Sequence, residues 1–159
     1  MDATADELAG VVDLFGGLTE EELERAVGEV AFRADGGSID DDTLWEAIEE
    51  ALESFALVRY EPLEPDGDAL LVAGPTAFPQ APDHAEDLPH ILDLEPRRPD
   101  REALGAQTHE RFGRAVERAL EDGAGDEQLA RLLDVSYDLE AWAPIDCTTD
   151  RDRLDEALE

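Results

Sequence analysis

The 159-residue chain contains no lysine and no asparagine, one cysteine, and nine aromatic residues. Without lysine, Schiff-base chemistry and lysine-assisted phosphate binding are excluded. A lone Cys147 excludes an intramolecular disulfide framework and any cysteine-based zinc site. No apolar run approaches the roughly 18 residues of a membrane span. Met1, Asp2 and Ala3 open no basic, apolar signal peptide, so a cytoplasmic location is expected. Glycine-rich phosphate loops are missing too: Gly16-Gly17 and Gly36-Gly37 read as a helix stop and a loop, and Gly123 and Gly125 lack a preceding strand. There is no Gly-x-Ser-x-Gly elbow.

What the chain has in excess is acid. Forty-three Asp and Glu stand against 12 basic residues, all of them arginine, for a formal net charge of −31. The acid is spread evenly: residues 1–80 carry 21 acids and 3 Arg, and residues 81–159 carry 22 and 9. An acidic interaction tail or a nucleic-acid mimic would concentrate its charge in one block or on one face. Disorder is the other usual meaning of such charge. Leu, Ile, Val and Phe total 38 of 159 residues, about 24 %, above the roughly 20 % below which charged chains stay unfolded. A folded protein is therefore expected. Abundant short carboxylates with no lysine resemble the protein style of salt-in halophilic archaea. At multimolar salt the Debye length falls to roughly 3 Å, which screens self-repulsion that would otherwise oppose folding.

The hydrophobic period predicts helices over residues 4–15 (Leu8, Val11, Val12, Phe15), over 20–32 (Leu23, Val27, Val30), and from about Asp42 (Leu44, Trp45, Ile48, Leu52, Phe55). Thr19 followed by Glu22 fits a capping box at the start of the second. Residues 34–38 read as a loop. The period then changes: residues 56–61 and 69–73 read as two strands of a hairpin around a turn-rich loop with Pro65, Asp66 and Gly67. Three helices followed by a hairpin resemble the element order of a winged helix-turn-helix domain, over roughly residues 4–78. A departure is that no clear strand separates the first two helices; Ser38 and Ile39 are the candidates for a short third strand.

Six of the nine prolines fall within residues 75–99, a density that forbids a long helix and predicts an extended arm. Leu88, Ile91, Leu92 and Leu94 should dock it. A long helix is predicted over 100–122, with Leu104, Thr108, Phe112, Ala115, Val116, Ala119 and Leu120 on one arc. Another should run from Asp126 to near Trp142, followed by a short helix that Thr149 could cap. The expected organisation is α+β and mostly helical: a winged-helix-like domain over 1–78, a connecting arm over 79–99, and a helical segment over 100–159 that can pack as one unit with the first. The whole sequence also resembles an uncharacterised family of small acidic haloarchaeal proteins, a resemblance that implies no activity.

Candidate chemistry is sparse. The outer positions of the third helix are Glu46, Glu49, Glu50 and Glu53, and the wing offers Glu61, Glu64, Asp66 and Asp68. Groove entry needs donors for phosphates and base edges, so these signs are wrong for DNA. Arg111, Arg114 and Arg118 form a stripe that Glu110→Arg114 and Arg118–Glu121 pairs can neutralise. Arg97 and Arg98 have no such neighbour at helical spacing. Together with Arg101 they are the candidate partner contacts. His84 and His90 match no zinc signature, and His109 is expected at the edge of an apolar arc. Cys147 has no obvious basic neighbour to favour a thiolate. Trp45, Trp142, Phe78 and Tyr137 are candidate interface anchors. Trp45, at helical spacing with Ile48 and Leu52, reads more simply as a core position, and Trp142, before Pro144, equally as cover at a helix end. No catalytic residue, metal ligand or cofactor site is expected. The leading expectation is a non-enzymatic protein-interaction or scaffold module with a protein partner, or a homodimer. The alternative is a winged-helix DNA-binding transcriptional regulator whose basic face comes from Arg97, Arg98 and Arg101.

Overall fold

Thr4 starts the first helix because its hydroxyl accepts the Glu7 N–H (3.2 Å) while Glu7 reaches back to the Thr4 N–H, a reciprocal cap. The helix so opened, α1 (Ala5–Phe15), buries Leu8, Ala9, Gly10, Val11, Val12 and Phe15. Five successive buried positions leave little room for a solvent face. This helix is the core around which its unit is built. It ends at Gly16, whose φ of +76° is one that other residues adopt only at a cost. In the computed structural model, residues 3–64, 67–83 and 85–158 are described. The chain divides into two compact units, Met1–Pro99 and Asp100–Glu159.

In the first unit, α2 (Glu20–Asp35) opens on the expected Thr19–Glu22 capping box. It runs three residues beyond the predicted end, because the left-handed residue that can stop it is Gly36, at φ +71°. The third helix, α3 (Asp41–Glu53), is capped by the Asp40 carboxylate on the Thr43 N–H (3.3 Å). The chain leaves it through Phe55 at φ +64°, with the Ala56 N–H donating back to the Ala51 carbonyl (2.9 Å). Strands β1 (Leu57–Tyr60) and β2 (Leu70–Ala73) follow, antiparallel, in the register Leu57↔Ala73 to Tyr60↔Leu70. The layout is thus α+β, with the hairpin after three helices as expected. Pro65 and Asp66 of its loop lie outside the described residues.

The third strand position differs from the expectation. The extra strand residue is Leu18, between α1 and α2, and not Ser38 or Ile39. Leu18 makes an antiparallel bridge with Leu71, donating at 3.0 Å and accepting at 2.6 Å. A single bridged residue between Gly17 and the cap Thr19 has no alternation to read, which is why the pattern missed it.

Among its described residues the proline-rich segment forms one short helix, α4 (Leu88–Ile91), with turns before and after it and irregular chain over 94–100. It is docked on α1 at both ends. Near the start of α1, Gln80 donates its N–H to the Asp6 carbonyl (3.0 Å) and Phe78 donates to the Asp6 carboxylate (3.1 Å). Near the end, the Arg97 N–H donates to the Phe15 carbonyl (2.7 Å). Between these points Ala85 and Leu88 are fully buried, and Leu92 and Leu94 pack partly against the same core. A fully buried leucine contributes about 1.5–3 kcal/mol, so Leu88 matters more to docking than any one surface hydrogen bond.

The second unit is helical. Its longest element, α5 (Arg101–Glu121), is capped by Asp100 and buries Leu104, Gly105, Thr108, Phe112, Val116 and Ala119, most of the predicted arc. The Thr108 hydroxyl is satisfied by the Leu104 carbonyl (2.8 Å), which lets a polar residue sit in the seam. Then α6 (Asp126–Trp142) buries Leu129, Leu132, Val135, Ser136 and Leu139, and α7 (Thr148–Leu158) buries Leu154. Asp146, rather than Thr149, caps α7: its carboxylate accepts the Thr148 N–H at 2.9 Å. Among the described residues, no helix is long and apolar enough to cross a membrane.

Candidate functional site

Among the described residues, each unit contains a two-armed arginine–carboxylate fork. In the first, Arg97 meets Glu22 with both arms, Nη1 to Oε1 at 2.7 Å and Nη2 to Oε2 at 3.0 Å. Nη1 also donates to the Gly17 carbonyl at 3.1 Å. Glu22 is at the same time the capping-box residue of α2, its Oε1 accepting the Thr19 N–H at 2.9 Å. The Arg97 hydrogen bond holds the Glu22 carboxyl below the ordinary carboxylate range, against the opposing effect of partial burial. The same fork holds the Arg97 guanidinium charged. Bidentate geometry of this kind is stronger and more directional than a single contact.

In the second unit, Arg151 of α7 grips Glu140 of α6 at 2.8 and 3.1 Å, touches the Ser136 hydroxyl at 3.3 Å, and lies over the Tyr137 ring at 4.4 Å. Glu140 also accepts the Cys147 N–H (2.9 Å). Its carboxyl is held low, first by Arg151 and then by that backbone donor. Cys147 is fully buried, and its thiol is pushed up to about 11 by burial and then by the nearby carboxylates of Glu140 and Asp150. A basic neighbour does exist in Arg151, but its field is the smaller effect. The thiol stays protonated, unsuited to nucleophilic work.

The three arginines singled out from the sequence have different fates. Arg97 is committed to Glu22, 75 residues away in sequence, so no local spacing could have announced the partner. Arg98 is exposed and, among the described residues, makes no ion pair. Arg101 belongs to the second unit and lies over the Trp142 ring, 5.0 Å from its centre. Along α5, Arg114 pairs with Glu110 as its spacing predicted. Arg118 instead donates to the Arg114 carbonyl at 3.5 Å and makes no ion pair with Glu121 among the described residues. His109 sits at an edge, 3.8 Å from the Asp150 carboxylate. His84 lies outside the described residues, and among those described no three His, Cys, Asp or Glu gather as metal ligands.

The outward face of α3 is the other notable surface. Asp41, Asp42, Glu46, Glu49, Glu50 and Glu53 are exposed, and Leu44, Ile48 and Ala51 turn inward. Trp45, expected in the core, is 37 % exposed. One residue past Leu44 it stands about 100° round the helix from the buried row. The neighbouring hairpin loop adds exposed Glu61, Glu64 and Asp68 beside Leu63, which is largely solvent-facing; Asp66 lies outside the described residues.

No curated protein and no solved structure matches the chain. A family model described as a family of unknown function, DUF7109, matches residues 6–159. The match runs through both units, from the first turn of α1 past the end of α7, and the chain belongs to that family.

Proposed function

We propose that this protein is a non-enzymatic module of a salt-in cytoplasm that works by binding another protein through the α3 face of its first unit. The observation that carries the reading is the acid on α3. The order α1, Leu18, α2, α3, β1, β2, with Leu18 bridged to β2, resembles a winged helix-turn-helix domain, in which the third helix reads DNA. Here that helix has no arginine and presents four glutamates and two aspartates around a partly exposed Trp45. Carboxylates repel phosphates and cannot donate to base edges. A tryptophan ringed by polar side chains is the composition of a protein-binding hot spot. The reading of a non-enzyme is supported by the lack of lysine and by the buried, protonated Cys147.

The test is binding near 2 M KCl, roughly the regime in which phosphate contacts contribute little and salt-adapted folds are stable. Wild type and Trp45→Ala are compared by affinity capture and by light scattering. A partner or a second copy retained by wild type and lost from Trp45→Ala supports the reading. Duplex DNA binding by wild type that disappears in an Arg98→Ala/Arg101→Ala double variant overturns it in favour of a DNA-binding regulator. Arg97 is left intact there, because its fork with Glu22 is part of the fold.

A further inference from the structure

The segment from Phe15 to Thr19 is held from two sides at once. On one side is the arm: the Arg97 N–H bonds the Phe15 carbonyl (2.7 Å), its guanidinium bonds the Gly17 carbonyl (3.1 Å), and its fork with Glu22 supports the carboxylate that caps Thr19. On the other is the hairpin, where both backbone groups of Leu18 are paired with Leu71 (3.0 and 2.6 Å). The intervening Gly16 and Gly17 have the most backbone freedom of any residues; Gly16 keeps its cap bond to the Asp13 carbonyl (3.2 Å), and these tethers add to it. Gly16 fits under the arm so closely that a Cβ there would lie 1.9 Å from the Arg97 carbonyl oxygen.

We propose that the Arg97–Glu22 fork is a latch coupling the proline-rich arm to the hairpin, so that release of the arm frees Leu18 and opens the outer edge of β2. Opening the latch takes with it the guanidinium's bond to the Gly17 carbonyl and leaves the arm on the single backbone bond from the Arg97 N–H to the Phe15 carbonyl; these two carbonyls flank the Gly16 turn. Leu18 is then joined to α1 through two glycines, of which Gly16 keeps only its cap bond to the Asp13 carbonyl. A freed β2 presents unpaired N–H and C=O groups, a surface that can accept another strand. The latch lies two residues before Pro99, where the first unit ends, so a pull on the chain beyond that point reaches Arg97 first. This device is independent of what α3 binds.

Native-state hydrogen exchange on the full chain at high salt tests it. The amides of Leu18 and Leu71 both donate across the bridge; those of Val27 and Ile48 report the helical core. In Arg97→Ala, exchange at Leu18 and Leu71 should rise at least tenfold more than at Val27 and Ile48. Glu22→Gln, which retains a capping-box acceptor but weakens the fork, should give a smaller rise in the same order and carries the test if Arg97→Ala does not fold. A uniform rise across all four amides, or none at Leu18 and Leu71, overturns the proposal.

Discussion

Arg97 reaches back across 75 residues to close a two-armed contact on Glu22, and the same carboxylate caps α2. A guanidinium matches this site and an ammonium does not, because only the planar fork can serve both carboxylate oxygens and the Gly17 carbonyl. Arg97→Lys should therefore recover less than half of what Arg97→Ala loses. With a third of the Arg97 side chain exposed, the loss in Arg97→Ala is about 1–2 kcal/mol, in the range of partly screened charge-assisted bonds. Denaturant titrations at fixed high salt read both differences. Full recovery by lysine would mean that charge alone, without fork geometry, holds the arm.

The fork also fixes a pH dependence. Glu22 is held below its ordinary value by Arg97, so folding is favoured by its ionised form. That contribution is fully present above the unfolded-state value of about 4.3 and is lost as pH falls through the lower folded-state value. Glu22→Gln lacks the titration. The stability gap between wild type and Glu22→Gln should be constant from neutral pH down to the ordinary carboxylate range and shrink below it. Comparing the two proteins removes the background of the other acids, whose mutual repulsion relaxes over the same range. A gap unchanged at strongly acidic pH would refute the linkage.

Glycine substitutions separate close approach from simple flexibility. A Cβ on Gly10 would lie 2.2 Å from the Gln80 carbonyl oxygen, and backbone cannot swing aside as a side-chain tip can. Gly10→Ala should cost about 1–3 kcal/mol. Gly16→Ala should cost more, since it combines a clash with Arg97 backbone and a φ of +76°, the latter alone worth about 1–2 kcal/mol. Gly28, exposed within α2, has nothing within 4 Å of a new Cβ. Gly28→Ala should stabilise by about 0.5–1 kcal/mol through helix propensity. Thermal melts of the three variants in one buffer rank them directly.

These glycines and the fork depend on long-range contacts that local sequence does not encode. Helices α1, α2, α5 and α6 were legible because Leu8, Val11, Val12 and Phe15, or Leu104, Phe112 and Val116, repeat at the helical period. The hairpin was legible from the change of period at Leu57. Nothing local distinguishes Gly10, which accommodates a crossing backbone, from Gly28, which faces solvent. The pairing of Arg97 with Glu22 is equally silent, because its partners share a site only after the arm folds back over α1. Trp45 was misplaced for a different reason: at the edge of the apolar arc, one helical step decides between core and solvent.

Cys147 should be chemically inert in the folded protein. It is fully buried with its thiol pushed up to about 11, and thiol reagents need exposed thiolate. At a pH near 8, close to the unperturbed thiol value, labelling of native protein at high salt should proceed only at the rate of opening of the α6–α7 region. Arg151→Ala, which removes the fork to Glu140 and the contact with Ser136, should raise the labelling rate. Rapid labelling of wild type would contradict the packing around Cys147.

Salt should raise the helix content, and α3 should respond most. Its exposed face sets Glu46 against Glu50 and Glu49 against Glu53 at four-residue spacing, each like-charge pair costing roughly 0.2–0.5 kcal/mol when unscreened. No basic residue stands in its last turn to offset the helix dipole. Along α5, by contrast, Arg114 is already paired with Glu110, and salt weakens such a pair. Circular dichroism from dilute buffer to multimolar KCl should show helix signal rising toward a plateau as the Debye length drops below the spacing of neighbouring carboxylates. Amide protection gained in α3 should exceed that in α5. A spectrum already at its plateau in dilute buffer would show that the core of α1, at a net charge of −31, carries the fold without help from screening.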